Sequence, residues 1–394
     1  MGVACRLVLL PAPPVMATDY YRYLWDGAVW AHGYSPWEFS PQAALVGTSR
    51  GIPAGLHRLA LEHRRLVGDI NHNDLPTIYP PASEAVFAAA AWLQPFSTIT
   101  LKGCLLLFDS AAAAVIALLL RRLKLPALWI MIYWWNPVVI NAFANAAHLD
   151  SIALFFVALF LYLLVSDRPV PAGMALGLAV GAKFWPIVLA IVLLKKYRTN
   201  PVRLLSAGVA AWLATLIVLA PMLMTGPPAF ASLFTYARYW QANDLLFHLL
   251  FMFWNHFLTS WSATHNASLA TILVVYGTAT LLLLRQPLKG VQTVRTCLWL
   301  TALIFLLSPT EFPWYYTWLL PMLAVCPRPS LLLWSGTLSL YPVAYIYPHV
   351  VWMEHLPVIG LLILEAFLPP LRELFDQSSI AGDSQYQATT GRLR

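Results

Sequence analysis

Apolar runs of helical length alternate with short polar stretches along most of this chain. Residues 101–120, 127–143, 152–165, 172–194, 204–224, 269–284, 297–307 and 331–346 are almost free of charge. A helix that crosses a bilayer needs about 20 such residues. The longer runs reach that length, and several others approach it once flanking aromatic residues are counted. Shorter apolar pieces at 82–93 and 245–258 lie between them, the second rich enough in aromatics to lie in the membrane interface. The pattern predicts an all-α polytopic membrane protein with about 10–12 hydrophobic helices.

The pattern divides the chain into four parts. Residues 1–16 form a short N-terminal remnant, apolar at first and then stopped by Pro11, Pro13 and Pro14. Residues 17–81 are a long loop of mixed polarity that ends in the Asn- and Pro-rich INHNDLPTIYPP, where regular structure is not expected. Residues 82–371 form the membrane domain, with polar-aromatic loops at 225–244 and 308–316. Residues 372–394 read as a disordered polar tail.

The most patterned polar stretch is TDYYRYLWDGAVWAHGYSPWEFSP, residues 18–41. It predicts a short helix that Thr18 or Asp19 can cap and Gly33 can end, with Pro36 preventing resumption. On it Asp19, Arg22 and Asp26 share one face, beside aromatics that include Tyr23. Two carboxylates flanking a guanidinium suit the binding and deprotonation of a sugar. The same spacing also fits a cap followed by an ordinary Arg22–Asp26 surface pair.

Composition supports the membrane assignment. Hydrophobic residues make up 60% and charged residues 10% of the chain, where soluble domains carry about 25% charged. The net charge of +7 comes largely from clusters in short loops: Arg121, Arg122 and Lys124; Lys195, Lys196, Arg198 and Arg203; Arg285, Lys289 and Arg295. Such clusters mark cytoplasmic loops, so the positive balance is topological and implies no nucleic-acid partner. The first loop is then extracytoplasmic if the 82–93 segment does not cross completely. The four cysteines share no metal or disulfide spacing.

A charge at bilayer depth costs a few kcal/mol and needs a reason. Lys183, in GLAVGAKFWP, has no acidic residue within a turn. It is expected to meet a donor phosphate, with Gly177, Gly181 and Pro186 allowing the helix to open there. The alternative is a long-range pair with Asp109 or Asp150. His148 and Asp150, in NAAHLDS, can hold a sugar or a metal, or Asp150 can simply cap the next helix. Lys102 and Asp109 can pair with each other. Glu311, beside Trp314 and Tyr315, suits either carbohydrate or an interface anchor.

Taken together, DYYRYLWDG with GYSPW, LPTIYPP, NPVVINAFANAAHLD, GLAVGAKFWP and LSPTEFPWYYTWLLP resemble bacterial C-type (GT-C) glycosyltransferases, in particular the polyprenyl-phosphate-sugar-dependent mannosyltransferase-like proteins. The resemblance runs in order from about Arg6 to Pro321. It implies an integral protein of the bacterial inner membrane that moves a hexose, mannose by the resemblance, from a polyprenyl-phosphate sugar donor to a glycan or lipid acceptor. The active site would be extracytoplasmic and the anomeric centre inverted. Asp19 matches the family's essential acid and is the expected catalytic base. Arg22, Tyr23, Asp26, Tyr79, His148, Asp150, Lys183, Glu311, Trp314 and Tyr315 are the expected substrate-binding residues.

The family often places two adjacent acids at the first position, but this chain has Asp19 followed by Tyr20. No cofactor is implied, and a divalent metal stays open. The family also carries a membrane helix before this loop. Met1 to Leu10 is too short to be one, so the expectation is that the helix is lost or the start misassigned. A transporter or lipid flippase is the rival reading, because broken helices with charges at depth also build transport sites. Convergence of Asp19, Arg22, His148 and Glu311 on one cavity would favour the enzyme.

Overall fold

The computed structural model describes residues 1–15, 18–47 and 51–367. The tail expected at 372–394 lies outside the described residues. Within them the chain is all-α, and extended pairing is limited to a single parallel bridge between Ala242 and Thr310. Five helices are long and apolar enough to cross a membrane: Thr98–Arg122, Pro201–Thr225, Trp261–Leu283, Gly290–Leu307 and Val350–Phe367. The last was not among the expected runs, because Glu354, His355 and Pro357 interrupt its hydrophobic pattern. Shorter apolar helices, Asp150–Val165, Pro169–Ala182 and Leu246–Asn255, complete the bundle. Pro81–Leu93 has 13 residues, or about 20 Å of helix, well short of a bilayer core of about 30 Å.

Two of the apolar runs are broken. The first splits into Ala127–Trp134 and Pro137–Asn145, bent by 51°. Pro137 cannot donate to the preceding turn, and the Asn136 side chain instead accepts from the Val138 amide at 2.9 Å. A wide turn over Asn141–Asn145 and a left-handed Ala147 (φ 59°) then aim the chain into His148 and Asp150. The second run stops at Ala182. Lys183 is extended (φ −157°, ψ 143°), and Pro186 lies in the tight turn Trp185–Leu189.

The glycines before this break serve packing. A Cβ on Gly173 would stand 2.2 Å from the Ala207 carbonyl oxygen, one on Gly177 2.6 Å from that of Ala211, and one on Gly181 2.4 Å from Val218. This small-residue stripe lets Pro169–Ala182 lie directly on Pro201–Thr225, as helices in lipid do when close contact is their main attraction. It corrects the expectation that Gly177 and Gly181 open the helix for a lipid phosphate.

The expected Lys102–Asp109 pair is also replaced. Asp109 accepts from Arg6 Nε at 2.5 Å and from the Tyr133 hydroxyl at 2.9 Å. Lys102 donates to the Ala12 carbonyl at 2.6 Å. The Arg6 and Lys102 bonds hold the Gly2–Leu9 helix and the segment after it against Thr98–Arg122.

The described residues of the first loop form four short helices, Asp19–Ala31, Pro41–Val46, Ala54–Glu62 and Arg64–Gly68. Trp25, Val29, Leu56, Ala60 and Val67 form its own small core. Asp19–Ala31 ends as expected: Gly33 takes φ 81°, and the Gly33 and Tyr34 amides return to Trp30 and Val29. Its start differs, since neither Thr18 nor Asp19 caps it through a side chain, and Thr18 Oγ1 instead accepts from the Asn71 amide. Gly27 allows this helix to lie on Pro81–Leu93, where a Cβ would come within 2.4 Å of the Phe87 carbonyl oxygen. The loop at 225–244 likewise holds a helix, Pro228–Tyr239.

Candidate active site

The three polar regions meet around a cavity of about 640 Å³. Asp19 and Arg22 come from the first helix of the 19–81 region. His72 and Tyr79 come from its Pro- and Asn-rich end, Tyr236 and Trp240 from the second polar region, and Trp314 and Tyr315 from the third. The Ala242–Thr310 bridge ties the last two regions together, and the Tyr236 and Tyr315 hydroxyls hydrogen-bond at 2.9 Å.

Asp19 is the one carboxylate among the described lining residues. Its side chain keeps 31% of its surface open, but to a cavity walled by protein and aromatic rings, so it is poorly hydrated. Desolvation pushes its pKa up to about 6; Lys183 and Arg22 oppose the rise and Asp150 adds to it. One Asp19 oxygen lies 3.7 Å from His148 Nδ1. His148 is buried, its ring stacks on Trp314 at 4.0 Å, and neither ring nitrogen has a hydrogen-bond partner among the described residues.

Behind this layer Lys183 Nζ bonds Asp150 Oδ1 at 2.6 Å, and the same oxygen accepts from Trp318 Nε1 at 2.5 Å. The ammonium sits 4.2 Å from the centre of the Tyr315 ring. Of the two long-range alternatives for Lys183, the pair with Asp150 is therefore present. The Lys183 ammonium is thereby paired with a carboxylate of the fold that is 1% exposed. Arg22 is committed as well. Its guanidinium donates to the carbonyls of His72 at 2.8 Å, Leu75 at 3.0 Å and Asn71 at 3.3 Å, and so clamps the loop end onto the helix. It makes no direct pair with Asp26.

Of the expected site residues, Asp19, Arg22, Tyr79, Trp314 and Tyr315 line the cavity, and His148, Asp150 and Lys183 stand directly behind it. Tyr23, Asp26 and Glu311 do not reach it. Tyr23 is packed between Tyr79 and Phe87. Asp26, 1% exposed, is sealed against Thr77 and Glu84, because the helix face it shares with Asp19 has turned into the Pro81–Leu93 contact by its second turn. Glu311 is fully buried and bonds His355 Nε2 at 2.8 Å, and the His355 Nδ1 faces the Val351 carbonyl at 2.9 Å. That bond fastens the 308–316 segment to Val350–Phe367, a helix the hydrophobic pattern did not show.

Sequence reasoning did not single out His72, Tyr236, Trp240 or Tyr341, all of which line the cavity. Ser232, Tyr236 and Trp240 recur every fourth residue, a one-face helical signal that reading 225–244 as a loop concealed. Tyr341 was absorbed into an apolar run. Among the described residues no three His, Cys, Asp or Glu side chains are arranged to hold a metal ion.

A family model described as glycosyltransferase family 87 matches residues 77–310. The matched segment includes Tyr79, His148, Asp150, Lys183, Tyr236 and Trp240; Asp19, Arg22 and His72 precede it, and Trp314 follows it. No curated protein and no solved structure matches the chain.

Proposed function

The chain belongs to glycosyltransferase family 87, and from that premise we propose that this membrane glycosyltransferase moves a hexose, mannose first among the candidates, from a polyprenyl phosphate to a glycan or lipid acceptor at the extracytoplasmic face. The observation that carries the reading is Asp19, the one carboxylate among the described residues lining a cavity walled by aromatic rings.

In this mechanism the acceptor hydroxyl gives its proton to Asp19. Its oxygen bonds to the anomeric carbon as the bond from that carbon to the phosphate oxygen breaks, and the electron pair leaves with the phosphate. One displacement assisted by one base inverts the anomeric centre; a retaining route through a glycosyl-enzyme needs a second carboxylate facing the sugar. Desolvation makes Asp19 a stronger base than a surface aspartate, and the nearby Lys183 charge keeps it ionisable near neutral pH. The rings of Tyr79, Trp314 and Tyr315 offer apolar faces with polar edges, which suit a sugar. Of the four residues whose convergence would favour an enzyme over the transporter alternative, Asp19 and Arg22 line the cavity and His148 stands directly behind Asp19, while Glu311 turns away to His355.

The direct test is transfer of labelled mannose from polyprenyl-phosphate mannose in membranes containing Asp19→Asn. The amide keeps the shape and cannot accept the proton, so the rate should fall about 10²–10⁴-fold with normal insertion and expression. A variant that retains most of the wild-type rate would remove Asp19 from the role of base.

A further inference from the structure

A phosphate leaving group gains negative charge as the bond to the sugar breaks, and something in the cavity has to meet it. Among the described lining residues only Arg22 and His72 have side chains that can carry positive charge. Arg22 has already spent hydrogen bonds on three backbone carbonyls. Lys183 stands behind the wall, bonded to Asp150. We propose that His72 is the residue that contacts the leaving phosphate of the donor.

His72 is built for a fixed position. Its backbone is left-handed, with φ 51°, a conformation uncommon for residues other than glycine. Arg22 holds it there by donating to the His72 carbonyl and to the carbonyl one residue earlier. The ring then lies against Trp240, with centroids 4.3 Å apart. It stays exposed to the cavity, and no hydrogen bond to either ring nitrogen occurs among the described residues. Residues held in such backbone regions by their surroundings cluster at functional sites. An imidazole presents at least one N–H donor in either charge state, so it can bond a phosphate oxygen whether or not it is protonated. Arg22 is thereby a positioning residue: it sets the His72 backbone from the same helix that carries Asp19, and so fixes base and phosphate contact relative to each other.

This assignment rests on the polyprenyl-phosphate reading, and the two can fail separately. The probes are a polyprenyl phosphate and the matching polyprenol, whose binding to the full chain in detergent needs no turnover. His72→Gly removes the ring and suits the left-handed backbone, so thermal stability should hold. Wild type should bind the phosphate more tightly than the alcohol. The glycine variant should lose at least about 10-fold in affinity for the phosphate, as expected for a lost charge-assisted bond, and keep wild-type affinity for the alcohol. His72→Asn tolerates the same backbone and retains an N–H donor, so it should recover part of the loss. A glycine variant that still prefers the phosphate as wild type does would overturn the role of His72 alone. A wild type that binds phosphate and alcohol equally would overturn the phosphate seat and the donor reading together.

Discussion

Replacing Lys183 with methionine separates its structural and electrostatic roles. The stem stays and the ammonium goes. Asp150 is 1% exposed, and its shortest cationic contact, at 2.6 Å, is lost. Removing one partner of a buried ion pair costs about 3–5 kcal/mol, because the other charge is left in a poor solvent. The Trp318 N–H remains on the same Asp150 oxygen, and the lysine side chain itself is 16% exposed, so the lower end of that range, about 3 kcal/mol, is expected. Thermal unfolding in detergent should therefore occur several degrees lower. The double variant Lys183→Met with Asp150→Leu, which removes the orphaned charge, should recover much of the loss. The same substitution should also move the pH dependence of transfer. Asp19 must be ionised to act as base, so the wild-type rate should rise with pH through about 6 and then level off. Lys183 lowers the Asp19 pKa, so its loss should shift that rising limb to higher pH and leave the plateau pH-independent. Wild-type stability in Lys183→Met would refute the claim that Asp150 depends on it. A rising limb that stays put, or moves to lower pH, would refute Asp19 as the titrating base.

Gly27→Ala should destabilise the protein by about 1–3 kcal/mol and lower transfer, because the new methyl would press on the Phe87 carbonyl and push the helix bearing Asp19 away from Pro81–Leu93; unchanged melting and activity would contradict that packing. With Cys5 and Cys104 replaced, single cysteines at the exposed positions Glu38 and Ala237 should both react with a membrane-impermeant thiol reagent in intact cells, and one at Arg198 should not. Protection of either outer site would contradict the proposed extracytoplasmic placement of these two loops.

The hydrophobic runs made the fold class readable because apolar length is a one-dimensional signal. The breaks at Asn136-Pro137 and at Lys183 were readable for the same reason, since proline and an isolated charge disturb a helix locally. Partners were not. Nothing near Asp109 in sequence announces Arg6, and nothing near Lys183 chooses Asp150 over Asp109, because those choices are made by helix packing across more than thirty residues. Asp26 shows the limit of face arguments: it shares the Asp19 face by spacing, yet the helix surface passes from cavity to core between them. Glu311 looked like a sugar contact because it sits beside Trp314 and Tyr315, which do line the cavity. Its own side chain points to a helix more than forty residues further on.

Asp150 opens one short apolar helix and Lys183 follows the end of the next, so the two consecutive helices run up and back with both charges at the same end. In the chain this hairpin comes before Pro201–Thr225, the helix it packs on. Inserted separately, each helix would bring an uncompensated charge at its end toward the bilayer, where a lone charge is costly. Inserted together, they present a neutral pair. The hairpin thus carries its own counter-ion, independently of any substrate in the cavity.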